Sequence, residues 1–373
     1  MFADTYKADG VVLKNWFGVQ YPEAFTHPAD EYRALTSTAA FIDLCHWGVL
    51  RLTGDDGVRL LNSLTTNDAA SLDTGGGCHS ALTTLKGKLV AELYVLRREE
   101  ELLVLVAQGD TGVVADTIEK HIIADDVDVA DVSADIAVFA VEGPKSRAVL
   151  WRLFPSQPIP DERLRFSDTD CLGTPVTIVR NSVTGESGYH LIVPAANARR
   201  VRDYLIQSGR ADDMSLIGRF AWNTRRVEAG LPWWGADVTG GENFPKECGL
   251  DSVVSYTKGC FLGQETLARM HHRGHPNWLL VGLTPRADLP GLETHQDTWP
   301  DVSHTLPVNA PLFAPADLDK QAGRLTSPVF SPKLQKPLLL GYVRTALAEP
   351  GTEMILRAGD HDTPLIVTQL PLD

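Results

Sequence analysis

The chain has 373 residues and carries 48 Asp and Glu against 34 Lys and Arg, a formal net charge of −14. That length allows two or three domains, and 43% apolar with 22% charged residues is the balance of an ordinary globular protein. The negative charge excludes broad electrostatic binding to nucleic acid or to an anionic membrane surface. Five cysteines (Cys45, Cys78, Cys171, Cys248, Cys260) are scattered, without a C-x-x-C, which fits a reducing compartment and offers no standard zinc or cluster signature. Met1-Phe2-Ala3-Asp4 lacks the basic region and apolar run of a secretory signal, and no apolar stretch approaches the ~20 residues of a membrane helix. The expectation is a cytoplasmic protein with no bound metal and no direct nucleic-acid or membrane partner.

In chain order, Tyr32 to Ala40 reads as a helix and Phe41 to Leu44 as a short strand. Trp47 to Thr53 alternates as a strand, and Gly54-Asp55-Asp56 opens a helix whose apolar face is Val58, Leu61 and Leu64. Three strands follow at Ser80–Leu85, Leu89–Arg97 and Leu102–Ala107, then an amphipathic helix from Asp110 to Ile123. The order recurs. Ile136 to Val141 is a strand, Gly143-Pro144 opens a helix, Pro175–Arg180 and Gly188–Val193 are strands, and Ala195 to Gln207 is a helix. Aligned on Gly54 and Gly143, the two halves form a degenerate repeat with the element order of a ferredoxin-like unit. Leu216 to Ala229 reads as a helix ending at Gly230 and Pro232, and residues 231–250 form a long Gly-, Pro- and Trp-rich loop. After Pro276, short apolar runs separated by Pro-rich loops read as a small β-barrel.

The densest chemistry lies in Lys258-Gly259-Cys260-Phe261-Leu262-Gly263-Gln264-Glu265, continued by Ala268-Arg269 and Arg273-Gly274. Gln264 to Met270 reads as a helix, so Cys260 stands just ahead of its N-terminus and two residues from Lys258, both of which favour a thiolate. The other reading is a small buried cysteine in a tight turn. His271-His272-Arg273-Gly274-His275 reads as a solvated turn, since neighbouring residues point different ways and no carboxylate or Cys completes a ligand set.

The run around Cys260 resembles the signature of the YgfZ-type folate-binding proteins, relatives of the glycine-cleavage T-protein, an aminomethyltransferase. Supporting segments are Leu52-Thr53-Gly54-Asp55-Asp56 with Leu64-Thr65-Thr66-Asn67-Asp68, Thr184-Gly185-Glu186-x-Gly188-Tyr189, and Arg226-Val227-Glu228-Ala229-Gly230-Leu231-Pro232. The resemblance implies an α+β cloverleaf of two ferredoxin-like units and a C-terminal antiparallel β-barrel around a central folate pocket. The units would be residues 1–46 with 134–275, residues 47–133, and the barrel 276–373. It further implies tetrahydrofolate as the ligand, Trp47 and Trp222 as folate-contacting indoles, and Cys260 as the working thiol. For the YgfZ branch it implies a part in iron–sulfur cluster assembly or repair, with client enzymes that include tRNA-modifying ones.

One departure bears on chemistry. T-proteins carry an Asp-Asp pair after a Gly-Gly turn, whereas this chain has Gly87-Lys88-Leu89-Val90-Ala91-Glu92. The alternative to the iron–sulfur role is therefore an aminomethyltransferase or demethylase in which Glu92 serves as the acid. Of the remaining candidates, indole faces suit a flat pterin, and Arg226, one helical turn from Trp222, suits the glutamate carboxylates of folate. Glu186 would accept from pterin N–H groups, with Tyr189 in the same segment. Lys258 would hold a folate carboxylate or activate Cys260. Each also has a structural reading: core tryptophans, a surface arginine, a turn carboxylate.

Overall fold

The computed structural model describes residues 2–16, 18–155, 157–185, 187–287, 299, 302, 306–359 and 361–372. Two sheets and a barrel carry the chain. The first sheet has five antiparallel strands in the order Gly77–Thr83, Leu89–Arg97, Glu101–Gly109, Gly48–Thr53, Asp128–Asp131. Helices Gly57–Leu64 and Thr111–Glu119 cover its outer face through Leu50, Leu93, Val104 and Ile118. The second sheet has six strands in the order Phe166–Cys171, Thr174–Arg180, Gly188–Pro194, Ile136–Glu142, Ala39–Asp43, Met214–Leu216. Helices Ser146–Leu153 and Ala195–Gly209 cover it through Phe139, Leu150, Leu191 and Leu205.

The period of two along each strand divides these cores. On the central strands, Leu103, Leu105, Val138, Ala140 and Ile192 turn away from the helices into a shared layer between the sheets. The half-repeat seen in the sequence has a backbone counterpart: Gly54 (φ 101°) and Gly143 (φ 107°) both turn left-handed between a strand and a helix. A Cβ at either would meet a backbone carbonyl, Asp126 O at 2.2 Å or Leu35 O at 2.8 Å.

Helix Arg219–Glu228 starts three residues later than its pattern suggests, because Met214–Leu216 is drawn into the second sheet, parallel to Ala39–Phe41. This helix joins the sheets to the barrel, with Val227 packed on Val329, Leu338 and Leu340. The barrel closes through Trp278–Pro285, Lys336–Arg344, Asp317–Ser331, Pro311–Ala314, Glu353–Ala358 and His361–Thr368. The expected α+β architecture with a closed antiparallel barrel is therefore present. Among the described residues no helix is long and apolar enough to cross a membrane.

Candidate functional site

Strand Leu89–Arg97 positions the central carboxylate. Ala91, Leu93 and Val95 face the helix-covered core, so Glu92, Tyr94 and Leu96 face the space between the sheets. A bulge between Glu92 and Leu93 resets the register and sets Gln108 directly opposite Glu92. The Gln108 amide then donates to Oε2 of Glu92 at 2.9 Å, and its own oxygen accepts from Trp234 N. The other oxygen, Oε1, lies 2.7 Å from Nε2 of His79. Across the unit boundary, Nη2 of Arg163 sits 3.2 Å from Nδ1 of the same imidazole. A guanidinium only donates, so Nδ1 offers its lone pair, Nε2 holds the proton, and Glu92 is the acceptor. The network thus fixes both oxygens of Glu92 as acceptors.

Aromatic rings surround this carboxylate. Trp47 stacks on Tyr94 (centroids 5.6 Å, 14°) and Tyr94 on His79 (4.5 Å, 19°). Facing them, Trp222 meets Trp233 edge-on (4.9 Å, 89°), and Trp233 stacks on Trp16 (4.1 Å, 7°). Burial, followed by the charge of Glu92, pushes the Tyr94 phenol well above its usual range. Trp47 and Trp222 line one cavity of about 90 Å³ with Glu92, Arg163 and Ser182. That is below the ~300 Å³ of ordinary ligand pockets. Its chemistry fits a pterin, with flat apolar faces beside a carboxylate and a hydroxyl, but the aromatic walls must part to admit one.

Several candidate residues fall elsewhere. Tyr189 is turned to the opposite face of its strand and packs with the helix-covered core, its ring over Arg180. The same alternation sends the next residue, His190, to the cavity side, edge-on to Trp47 at 5.0 Å. His190 is fully buried, neither ring nitrogen has a hydrogen-bond partner, and burial pushes its pKa down to about 3. Glu186 lies outside the described residues.

Arg226 lines the cavity, but its guanidinium is committed to protein atoms. It donates to Asn223 Oδ1, Leu231 O, Asp237 Oδ2 and Ser327 Oγ at 2.7–2.9 Å. It is a brace between helix, loop and barrel, not a clamp for folate carboxylates. Asp237, with no exposed surface, gathers the same parts: it also accepts from Trp233 N and from Thr326 and Ser327 of the barrel.

The Cys260 loop is likewise apart from the cavity lining. The Lys258 ammonium donates to three carbonyls, Asn62 O, Thr65 O and Asn67 O, at 2.6–2.8 Å, and burial lowers its pKa to about 8. It staples its loop to residues 62–67 at the end of helix Gly57–Leu64, leaving no donor for a folate carboxylate or for Cys260. Cys260 itself is exposed, ahead of helix Gln264–Arg273, and does not line the cavity. His271 stacks on Tyr256 at 3.8 Å, and among the described residues no group of three His, Cys, Asp or Glu is arranged for a metal.

Two family descriptions match the chain. The GCVT N-terminal domain covers residues 2–258, and the glycine cleavage T-protein C-terminal barrel domain covers residues 280–373. The chain belongs to the glycine cleavage T-protein family. Among similar proteins of this family, one called aminomethyltransferase from Bacillus cytotoxicus is 26% identical over 99% of this chain and 96% of its own length. Another of that name, from Halalkalibacterium halodurans, is 29% identical over 95% and 92%. The crystal structure of glycine cleavage system aminomethyltransferase T from Bartonella henselae superposes with a TM-score of 0.84, at 22% identity, over 99% and 96% of the two chains. These relatives carry the name aminomethyltransferase, not that of the narrower YgfZ branch. Within a T-protein-family fold, Ala91 has a simple geometric meaning. That position faces the helices, so a carboxylate there would point away from the cavity that Glu92 faces.

Proposed function

We propose that this protein is a tetrahydrofolate-dependent one-carbon transferase of the aminomethyltransferase type, with Glu92 as its acid–base and electrostatic group. The observation that carries the reading is the buried Glu92 carboxylate, both oxygens fixed by His79 and Gln108, on the wall of the cavity lined by Trp47 and Trp222. Tetrahydrofolate supplies the nucleophilic nitrogen that accepts the carbon unit. The chain's own part is to hold the flat ring between indole faces, exclude water with four tryptophans, and place negative charge where an amine gains positive charge. Names of the relatives support this reading, as does the departure at Ala91, which leaves the cavity-facing carboxylate in place.

The iron–sulfur role has no comparable support. The resemblance that implied it gave Cys260 as the working thiol with Lys258 beside it, and the lysine is engaged elsewhere while the thiol does not line the cavity.

The test is incubation with tetrahydrofolate and an S-aminomethyl thiol, with methylenetetrahydrofolate, ammonia and free thiol followed by mass spectrometry. An N-methyl onium donor, read as methyltetrahydrofolate, examines the demethylase variant. Product formation that Glu92→Gln abolishes is expected. Tetrahydrofolate binding without product from either donor overturns the reading, as does the absence of any tryptophan quenching on folate titration.

A further inference from the structure

Cations lining the cavity bear on which ligand charges it can accept. Arg226 and Arg163 both line it, yet they differ in what they already hold. Arg226 is 2% exposed and makes four hydrogen bonds to protein oxygens, one of them to the Asp237 carboxylate. Arg163 is exposed, and the hydrogen bond described for it is a single one, to a neutral ring nitrogen at 3.2 Å. No ion pair to a carboxylate is described for it, whereas Arg98 and Arg165 pair with Asp168 and Asp73. The carboxylate nearest along this network, Glu92, already accepts from His79 and Gln108.

We infer that Arg163 is the carboxylate-anchoring residue of this cavity, and that the ligand it serves carries its own carboxylate. The inference rests on the one-carbon-transferase reading for the ligand's other half, but not for the anion. A guanidinium presents five donors in a planar fork that matches a carboxylate in two parallel bonds. The contact to Nδ1 of His79 uses one of the five, so a ligand carboxylate can pair with two of the remaining donors. Two ligands carry this group: the benzoyl-glutamate end of the folate, and an amino-acid donor of the one-carbon unit. Entry of either places a negative charge beside the guanidinium that Nδ1 of His79 contacts.

The experiment titrates wild type, Arg163→Gln and Arg163→Lys with four probes, by tryptophan fluorescence. They are tetrahydrofolate, 6-methyltetrahydropterin (which has no carboxylate), 4-aminobenzoyl-L-glutamate, and N-methylglycine. The expected result is a loss of about ten- to a hundredfold in affinity for one or more carboxylate probes in Arg163→Gln. Part of it is retained in Arg163→Lys, and affinity for the methylpterin is unchanged. Whether the glutamate probe or N-methylglycine shows the loss identifies the source of the carboxylate. Equal affinity of wild type and Arg163→Gln for every carboxylate probe overturns the inference, as does binding of none of them by the wild type. If no pterin binds but N-methylglycine does so through Arg163, the anchor stands and the folate reading fails. Should Arg163→Gln not fold, the ¹⁵N signals of His79 in the wild type decide. They shift when a carboxylate probe pairs with the guanidinium at Nδ1, and unchanged signals at saturation overturn the inference.

Discussion

Oε1 of Glu92 accepts the Nε2 proton of His79 across 2.7 Å, and the proton's position is set by a guanidinium from the other ferredoxin-like unit, on the far side of the ring. A carboxylate so held cannot turn to follow a ligand; the ligand must come to it. Glu92→Gln keeps the shape and can still accept from His79, but removes the charge. Transfer is expected to fall by about a hundred- to a thousandfold, the usual cost of losing one preorganised electrostatic group, with tetrahydrofolate affinity nearly unchanged. Single-turnover product formation alongside fluorescence titration separates the two effects.

Arg226 has the opposite signature. Its four bonds hold helix Arg219–Glu228, residues 231–237 and the barrel together, and burial lowers its pKa. Arg226→Met leaves Asp237 buried without its cation, so urea unfolding should show a loss of about 3–5 kcal/mol. Where the variant still folds, folate and a carboxylate-free pterin should weaken together. Selective weakening of folate would instead restore Arg226 as a carboxylate clamp.

His190 predicts a pH dependence of stability. Its folded pKa of about 3 lies below the unfolded value of 6.5 because burial disfavours the imidazolium. The unfolded chain therefore binds more protons between those values, and the stability that neutral His190 permits is present above pH 6.5 and lost as pH falls towards 3. The full shift corresponds to at most about 5 kcal/mol. His190→Phe removes two unpartnered nitrogens as well as the titration. Its melting temperature should exceed that of the wild type, by a margin that grows as pH drops from 7 to 4.

Lys258 and Cys260 separate cleanly by mutation. Lys258→Met strips the donor from three carbonyls, at roughly 1–3 kcal/mol for each one that stays dry, and should lower the melting temperature by several degrees. Cys260→Ser, at an exposed position, should change neither stability nor folate affinity. A loss of product formation in Cys260→Ser would return the thiol to the mechanism.

These contrasts show what a linear sequence exposes. The opposite facing of Ala91 and Glu92 follows from strand alternation within Leu89–Arg97. Alternation also separates Tyr189 from His190, but the motif drew attention to the tyrosine because it ends T-G-E-x-G-Y. Trp47 and Trp222, brought to one cavity, were reachable only through family spacing. Arg163, His79 and Gln108 were not legible at all: their meeting depends on a bulge and on the docking of two units, and neither leaves a local pattern. Lys258 and Cys260 are neighbours in sequence, and proximity suggested an electrostatic couple. A turn that sends one side chain inward and leaves the other at the surface undoes it.

The knot at Asp237 has a consequence for how this protein can be altered. Because one carboxylate binds a helix of the sheet layers, a tryptophan-bearing loop and two hydroxyls of the barrel, the barrel is no detachable cap. Grafting a foreign barrel that lacks the Thr326-Ser327 pair would loosen Trp233 first, and the cavity's roof would fail well before the graft itself unfolded.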